Sequence, residues 1–189
     1  SHDAVHCPGE LTTLANLIEP ILKDDLAHNK NGLTKKSFLS IRQQYLDSLS
    51  GFNVPENVIT DKLPLNFRFI GFILIAFPEA KIVHMKRDAR ATCWSIYKHF
   101  FSNIGNGYSY NIEDLAGFYG LYTELMDFWH QLFPGQIYDI CYEDLTTNQE
   151  EETRKLLQYC ELDWDENCLS FHKNKRAVKT ASAKQVREK

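Results

Sequence analysis

Apolar and polar positions alternate along this chain with two periods, and the period switches several times. Leu14, Leu17, Ile18 and Ile21 recur at helical spacing within Leu11 to Leu22, and Pro20 is placed to kink or end that helix. Asn29 to Gly32 has turn composition. Thr34 then stands where an N-cap belongs, ahead of a helix running to about Leu49 and stopped by Ser50-Gly51. Asn57 to Thr60 predicts a short strand. Pro64 fits the first turn of a following helix, Leu65 to Phe77, that is apolar nearly all round. After the turn Pro78-Glu79-Ala80, Lys81 to Met85 predicts a strand, and Asp88 to about Phe101 a helix. Asn103 to Asn111 has loop composition. Leu115, Phe118, Tyr122, Leu125, Trp129 and Leu132 form the stripe of a long helix. Pro134-Gly135 turns the chain into a strand from Ile137 to Tyr142, and a last helix runs through Tyr159.

Strands alternate with helices, so the expected fold class is α/β with a parallel sheet. Such sheets bind ligands beyond the C-terminal ends of their strands. Three polar groups fall there: Asp61-Lys62, Arg87-Asp88, and Tyr142-Glu143-Asp144.

Composition narrows the picture. At 189 residues, 43% hydrophobic and 24% charged, the chain suits one domain with a sizeable core. No apolar run is long enough to span a bilayer, so no membrane span is expected. Ser1 to Glu10 is polar and is no signal peptide. The cysteines Cys7, Cys93, Cys141, Cys160 and Cys168 form no C-x-x-C pair. Their odd count points to free thiols in a reducing compartment, hence a cytoplasmic location. The histidines show no ligand spacing, so no metal is expected. The net charge of −4 is unevenly spread: His172 to Lys189 carries +6 and the remainder −10. An acidic body repels nucleic acid, so that partner is not expected; the basic strip is either a solvated terminus or a cover for a small polyanion.

One segment carries most of the chemistry. In Lys81-Ile-Val-His-Met-Lys-Arg-Asp-Ala-Arg-Ala-Thr-Cys-Trp-Ser95, Arg87 ends the strand and Ser95 follows eight residues later on the next helix. A guanidinium at a strand end grips a phosphate with paired donors, and a helix hydroxyl adds another. On these two residues alone, pairing of Arg87 with Asp88 or Glu143 and simple packing of Ser95 explain the pattern equally well. Together with Phe77-Pro-Glu-Ala-Lys81 and Tyr142-Glu-Asp-Leu145, however, the segment resembles the 3′-phosphate-binding region of sulfotransferases that use the nucleotide sulfate donor PAPS and release PAP.

Within that family the tyrosylprotein-type group, with its bacterial relatives fused to helical repeats, is the most similar, over nearly the whole chain. Ser1-His-Asp-Ala-Val-His-Cys-Pro-Gly-Glu10 resembles the stretch ending in the group's catalytic glutamate, which falls on Glu10. Asp61-Lys62-Leu63-Pro64 is similar to the Asn-Lys-x-Pro segment whose catalytic lysine falls on Lys62. Tyr142 matches a nucleotide-contacting tyrosine, although a strand-end tyrosine also suits core packing. Thr180 to Val186 resembles a C-terminal donor-binding segment and makes Ser182 its candidate. A further family arginine falls on His99 and is not carried over.

The resemblance implies a P-loop-type three-layer fold, with helices flanking a central parallel sheet. It implies transfer of a sulfuryl group from PAPS to a hydroxyl on a peptide or small acceptor, a peptide tyrosine above all, without a metal. The family's Gly-x-Pro-Arg-Ser-Gly-Thr loop, which cradles the 5′-phosphosulfate, has no counterpart in residues 1–189. The expectation is therefore a single domain truncated at its N-terminus and inactive by itself. Apolar surface should lie where the missing elements belong, and homodimerisation is one way to cover it. A P-loop kinase-like phosphotransferase and a non-catalytic PAP-binding module are the alternative readings.

Overall fold

A computed structural model of the chain describes residues 2–28, 33–52, 58–101 and 105–173. Ser182 and most of the basic C-terminal segment lie outside the described residues. In chain order the elements are β1 (Val5–His6), α1 (Thr13–His28), α2 (Lys35–Ser50), β2 (Val58–Ile59), a 3-10 segment (Pro64–Phe69) leading into α3 (Ile70–Ala76), β3 (Ile82–Lys86), α4 (Ala89–Tyr97), a 3-10 turn (Gly107–Tyr110), α5 (Ile112–Leu132), β4 (Ile137–Cys141), α6 (Tyr142–Thr147), α7 (Gln149–Tyr159) and a 3-10 segment (Glu166–Lys173). Among the described residues, no helix is long and apolar enough to cross a membrane.

Two compact units result. One comprises Ser1–Asn66 with Gln149–Lys189, the other Phe67–Asn148. In the first, β1 and β2 pair in parallel, with Val5 opposite Val58 and His6 opposite Ile59. Thr34 caps α2 as its sequence predicts: its Oγ1 accepts from the Ser37 N–H at 3.3 Å, and Ser37 Oγ accepts from the Thr34 N–H at 3.3 Å. Helix α1 continues through Pro20 to His28 rather than ending there. An interior proline costs about 3 kcal/mol. Leu14 and Ile18 of α1, packed in the layer with Ile41 and Tyr45 of α2, are all buried and offset it. The start of the chain is tied to Asp163–Asp165: the Asp3 N–H donates to Asp165 Oδ2 at 2.8 Å.

In the second unit, β3 and β4 pair in parallel over five residues, from Ile82 opposite Ile137 to Lys86 opposite Cys141. Ile70 and Leu74 of α3, Met126 of α5 and Ile137 of β4 form the buried cluster beneath them. Helix α3 approaches α5 closely at Gly71, where a Cβ would lie 2.7 Å from the Trp129 ring. Trp129 is fixed there by its Nε1–H, which donates to Phe67 O at 2.9 Å. Asn111 caps α5, accepting from the Glu113 and Asp114 N–H groups at 2.7 and 3.1 Å.

The fold is thus mixed α/β with parallel pairing. The described strands form two separate two-stranded ladders, β1-β2 and β3-β4; a single central sheet goes beyond what they form. Tyr142, expected as the last residue of a strand, is instead the first residue of α6. The β3-β4 ladder stops at Cys141, and Glu143 and Asp144 then supply the acidic first turn that a helix start favours.

Candidate active site

Glu10 and Lys62 meet in the first unit. Strands β1 and β2 end side by side in parallel register, so the segments leaving them, Cys7 to Glu10 and Thr60 to Lys62, run in the same direction. The Thr60 N–H donates to His6 O at 2.8 Å and extends the pairing toward the site. The Lys62 ammonium then donates to Glu10 Oε1, forming an ion pair between residues 52 apart in sequence. Both side chains remain exposed, so a ligand can reach them.

Asp61 anchors this pair from below. The Tyr45 hydroxyl of α2 donates to Asp61 Oδ2 at 3.0 Å, while Oδ1 is sealed from solvent without a hydrogen-bond partner among the described residues. Burial pushes the Asp61 carboxyl above its ordinary value; the Tyr45 hydroxyl and the Leu11 N–H, both aimed at it, oppose that rise. Burial and the Asp61 charge together push the Tyr45 phenol up, so it stays a donor. Asp61 precedes Lys62 and Leu11 follows Glu10, so one carboxyl fixes the backbone on both sides of the ion pair.

Arg87 and Tyr142 meet in the second unit. Each directly follows one member of the last ladder pair, Lys86 opposite Cys141, and the Arg87 guanidinium lies over the Tyr142 ring, 5.1 Å from its centre. The acids that could have neutralised Arg87 are engaged elsewhere. Asp88 Oδ1 accepts from the Ala91 N–H at 2.8 Å and caps α4; Glu143 Oε1 accepts from the Asp88 N–H at 3.0 Å. Arg87 and Tyr142 are both exposed, and Ser95 is exposed on α4. The arrangement offers a fixed, solvent-facing guanidinium at a strand end, which is the chemistry that binds an anion.

A third group escaped the sequence. His84 on β3, Asp139 on β4 and His130 on α5 converge, with Asp139 Oδ1 2.8 Å from His84 Nδ1 and 3.2 Å from His130 Nε2. Lys86 Nζ donates to Asp139 Oδ2 at 3.2 Å, and His84 Nε2 shares a hydrogen bond with the Tyr122 hydroxyl. Burial lowers the His84 pKa and pushes Tyr122 up to about 12. Burial also works to raise Asp139, but the hydrogen bonds from His84 and Lys86 outweigh it and hold the carboxyl below its ordinary value. A signal was present: His84 and Asp139 each stand three residues before a strand-end site residue, Arg87 and Tyr142, so aligning the two strand ends makes them neighbours.

The sulfotransferase family model matches residues 1–166. The chain belongs to the sulfotransferase family. Among its relatives, this sulfotransferase chain is 37% identical over 199 residues to an uncharacterized protein of Aquifex aeolicus (strain VF5), covering 100% of this chain and 26% of that protein. It is 26% identical over 187 residues to a protein named protein-tyrosine sulfotransferase from Drosophila melanogaster, covering 89% of this chain and 35% of that protein. The chain therefore spans about a quarter to a third of the length of the curated relatives it matches.

Proposed function

We propose that this chain supplies the acceptor-activating and nucleotide-holding residues of a PAPS-dependent sulfotransferase, and that its acceptor is a hydroxyl, most specifically a peptide tyrosine. The observation that carries the reading is the Glu10–Lys62 ion pair at the paired ends of β1 and β2. Family membership supports sulfuryl transfer, and the name of the Drosophila relative supports the phenolic acceptor. The domain we propose is the family's P-loop-type three-layer fold around a central sheet.

The donor supplies an activated sulfuryl group and departs as PAP. Glu10 takes the proton from the acceptor hydroxyl as a general base. Lys62 holds the Glu10 carboxylate in position through the ion pair, and its ammonium offsets the charge that develops on the bridging oxygen. Arg87 grips the 3′-phosphate with paired donors, Ser95 adds a hydroxyl, and Tyr142 holds Arg87 and flanks the nucleotide. Ser182 contacts the phosphosulfate side. As in phosphoryl transfer, positioning and charge stabilisation do most of the work.

The test is sulfate transfer from labelled PAPS to a tyrosine peptide by the intact protein, paired with PAP binding. Glu10→Gln lowers turnover about 10²–10⁴-fold and leaves PAP affinity unchanged. Lys62→Ala costs a similar order, about 2.7–4 kcal/mol by analogy with a lost oxyanion donor. Wild-type turnover by Glu10→Gln removes the general-base assignment. PAP binding without transfer by the wild type makes the chain a non-catalytic nucleotide-binding module. Phosphoryl transfer from ATP makes it a kinase-like enzyme.

A further inference from the structure

We propose that His84, His130 and Asp139 form a binding site for one divalent transition-metal ion of the zinc type, cross-linking β3, β4 and α5. Two imidazoles and one carboxylate are a three-ligand set that zinc accepts, leaving a fourth position to water. The three donor atoms lie within 4.8 Å of one another. Tetrahedral zinc, with bonds of about 2.0–2.1 Å, needs donors spaced about 3.3 Å apart. The two separations from Asp139 Oδ1, 2.8 and 3.2 Å, come within about half an ångström of that spacing. The third separation, between the two imidazole nitrogens, is no more than 4.8 Å, so the rings close in by at most about 1.5 Å to hold the ion.

The atoms around the three donors fit the same role. A ligating histidine commonly gives its other ring N–H to a fixed partner, which sets its tautomer and direction. For His84 that partner is the Tyr122 hydroxyl on Nε2, which leaves Nδ1 facing Asp139. A hydroxyl both donates and accepts. Tyr122 therefore donates to Nε2 while Nδ1–H bonds Asp139, and it accepts from Nε2–H once Nδ1 binds metal. His84 stays neutral in both states. Lys86 holds the second carboxylate oxygen, Oδ2, and leaves Oδ1 to the metal. Access is adequate: the His130 and Asp139 side chains are 35% and 32% exposed, while His84 is 12% exposed.

The placement also separates this site from the proposed chemistry. His84 and Asp139 are cross-strand partners in β3 and β4, three residues ahead of Arg87 and Tyr142, which follow the ends of those strands. A metal bound there braces the ladder beneath the nucleotide-holding pair without touching it. The proposal stands whether or not the chain transfers sulfate.

The experiment is titration of chelator-treated protein with Zn²⁺ by calorimetry and with Co²⁺ by visible absorption. The expected result is one equivalent bound, four-coordinate Co²⁺ bands without a thiolate charge-transfer band, and a rise in melting temperature on Zn²⁺ addition. His130→Gln, at a partly exposed helix position, removes the stoichiometric site while the protein remains folded. Tyr122→Phe weakens binding about 10–100-fold, the usual cost of losing a partner behind a ligand. In ¹⁵N spectra, Zn²⁺ shifts the Nδ1 resonance of His84 and the Nε2 resonance of His130. Three results overturn the proposal: no stoichiometric binding, binding unchanged in His130→Gln, or a Co²⁺ spectrum dominated by thiolate, which places the ion on the cysteines.

Discussion

Removing the Tyr45 hydroxyl tests whether Asp61 is the anchor beneath the Glu10–Lys62 pair. Tyr45 is buried and donates to Asp61 Oδ2 at 3.0 Å; Asp61 Oδ1 has no partner among the described residues. In Tyr45→Phe the carboxylate loses its side-chain donor while remaining sealed from water on one side. A hydrogen bond to a charged group contributes about 1.5–3 kcal/mol, and the partial exposure of Asp61 places this one at the lower end, about 1.5–2 kcal/mol. The cost depends on pH, with a definite sign. Burial raises the folded-state pKa of Asp61 above its ordinary 3.8, so the native state holds that proton more tightly than the unfolded chain does. The stability this contributes is fully present below the unfolded value and is lost as pH rises through the folded one. Tyr45→Phe removes a bond that favours the charged form, so it costs more at neutral pH than near pH 4. Asp61→Asn cannot titrate there, so its stability relative to wild type improves from acid to neutral pH. The assay is urea unfolding of wild type, Tyr45→Phe, Asp61→Asn and the double variant at both pH values. The expected coupling between the two positions at neutral pH is about 0.5–1.5 kcal/mol, the margin of a charged over a neutral hydrogen bond. A Tyr45→Phe cost independent of pH, with no coupling to Asp61, refutes the anchor.

Arg87→Ala weakens PAP binding by about 1.5–3 kcal/mol while leaving AMP binding nearly unchanged; equal affinity of the wild type for PAP and AMP in calorimetry removes the 3′-phosphate site. Gly71→Ala destabilises by about 1–3 kcal/mol through overpacking, because the new methyl meets the Trp129 ring at 2.7 Å and that ring is held by Phe67 O. Trp129→Leu in the same chain relieves part of that cost, and an unchanged unfolding midpoint for Gly71→Ala contradicts the close approach.

Features set by local rules were legible in the sequence. The Thr34 cap depends on residues three apart, and the stripe from Leu115 to Leu132 depends on a 3.6-residue period, so both could be read directly. The strand-helix passage around Arg87 was legible for the same reason, and its motif pointed to the family later matched over residues 1–166. Other features were decided only in three dimensions. Strand β1 is two residues long and carries no period; it exists because Val58 and Ile59 give its backbone a partner. Its register, set by hydrogen bonds 54 residues apart in sequence, brings Glu10 to Lys62, a pairing that no local propensity encodes. Pro20 does not end its helix, because burial of Leu14 and Ile18 outweighs a local backbone penalty. His84 and Asp139 share an offset of three residues from Arg87 and Tyr142, but His130 stands on a third element at no matching interval, so only packing brings the three together. Sequence fixes which side chains leave each element and at what interval, whereas the distance between side chains on separate elements depends on register and packing, which only the folded chain sets.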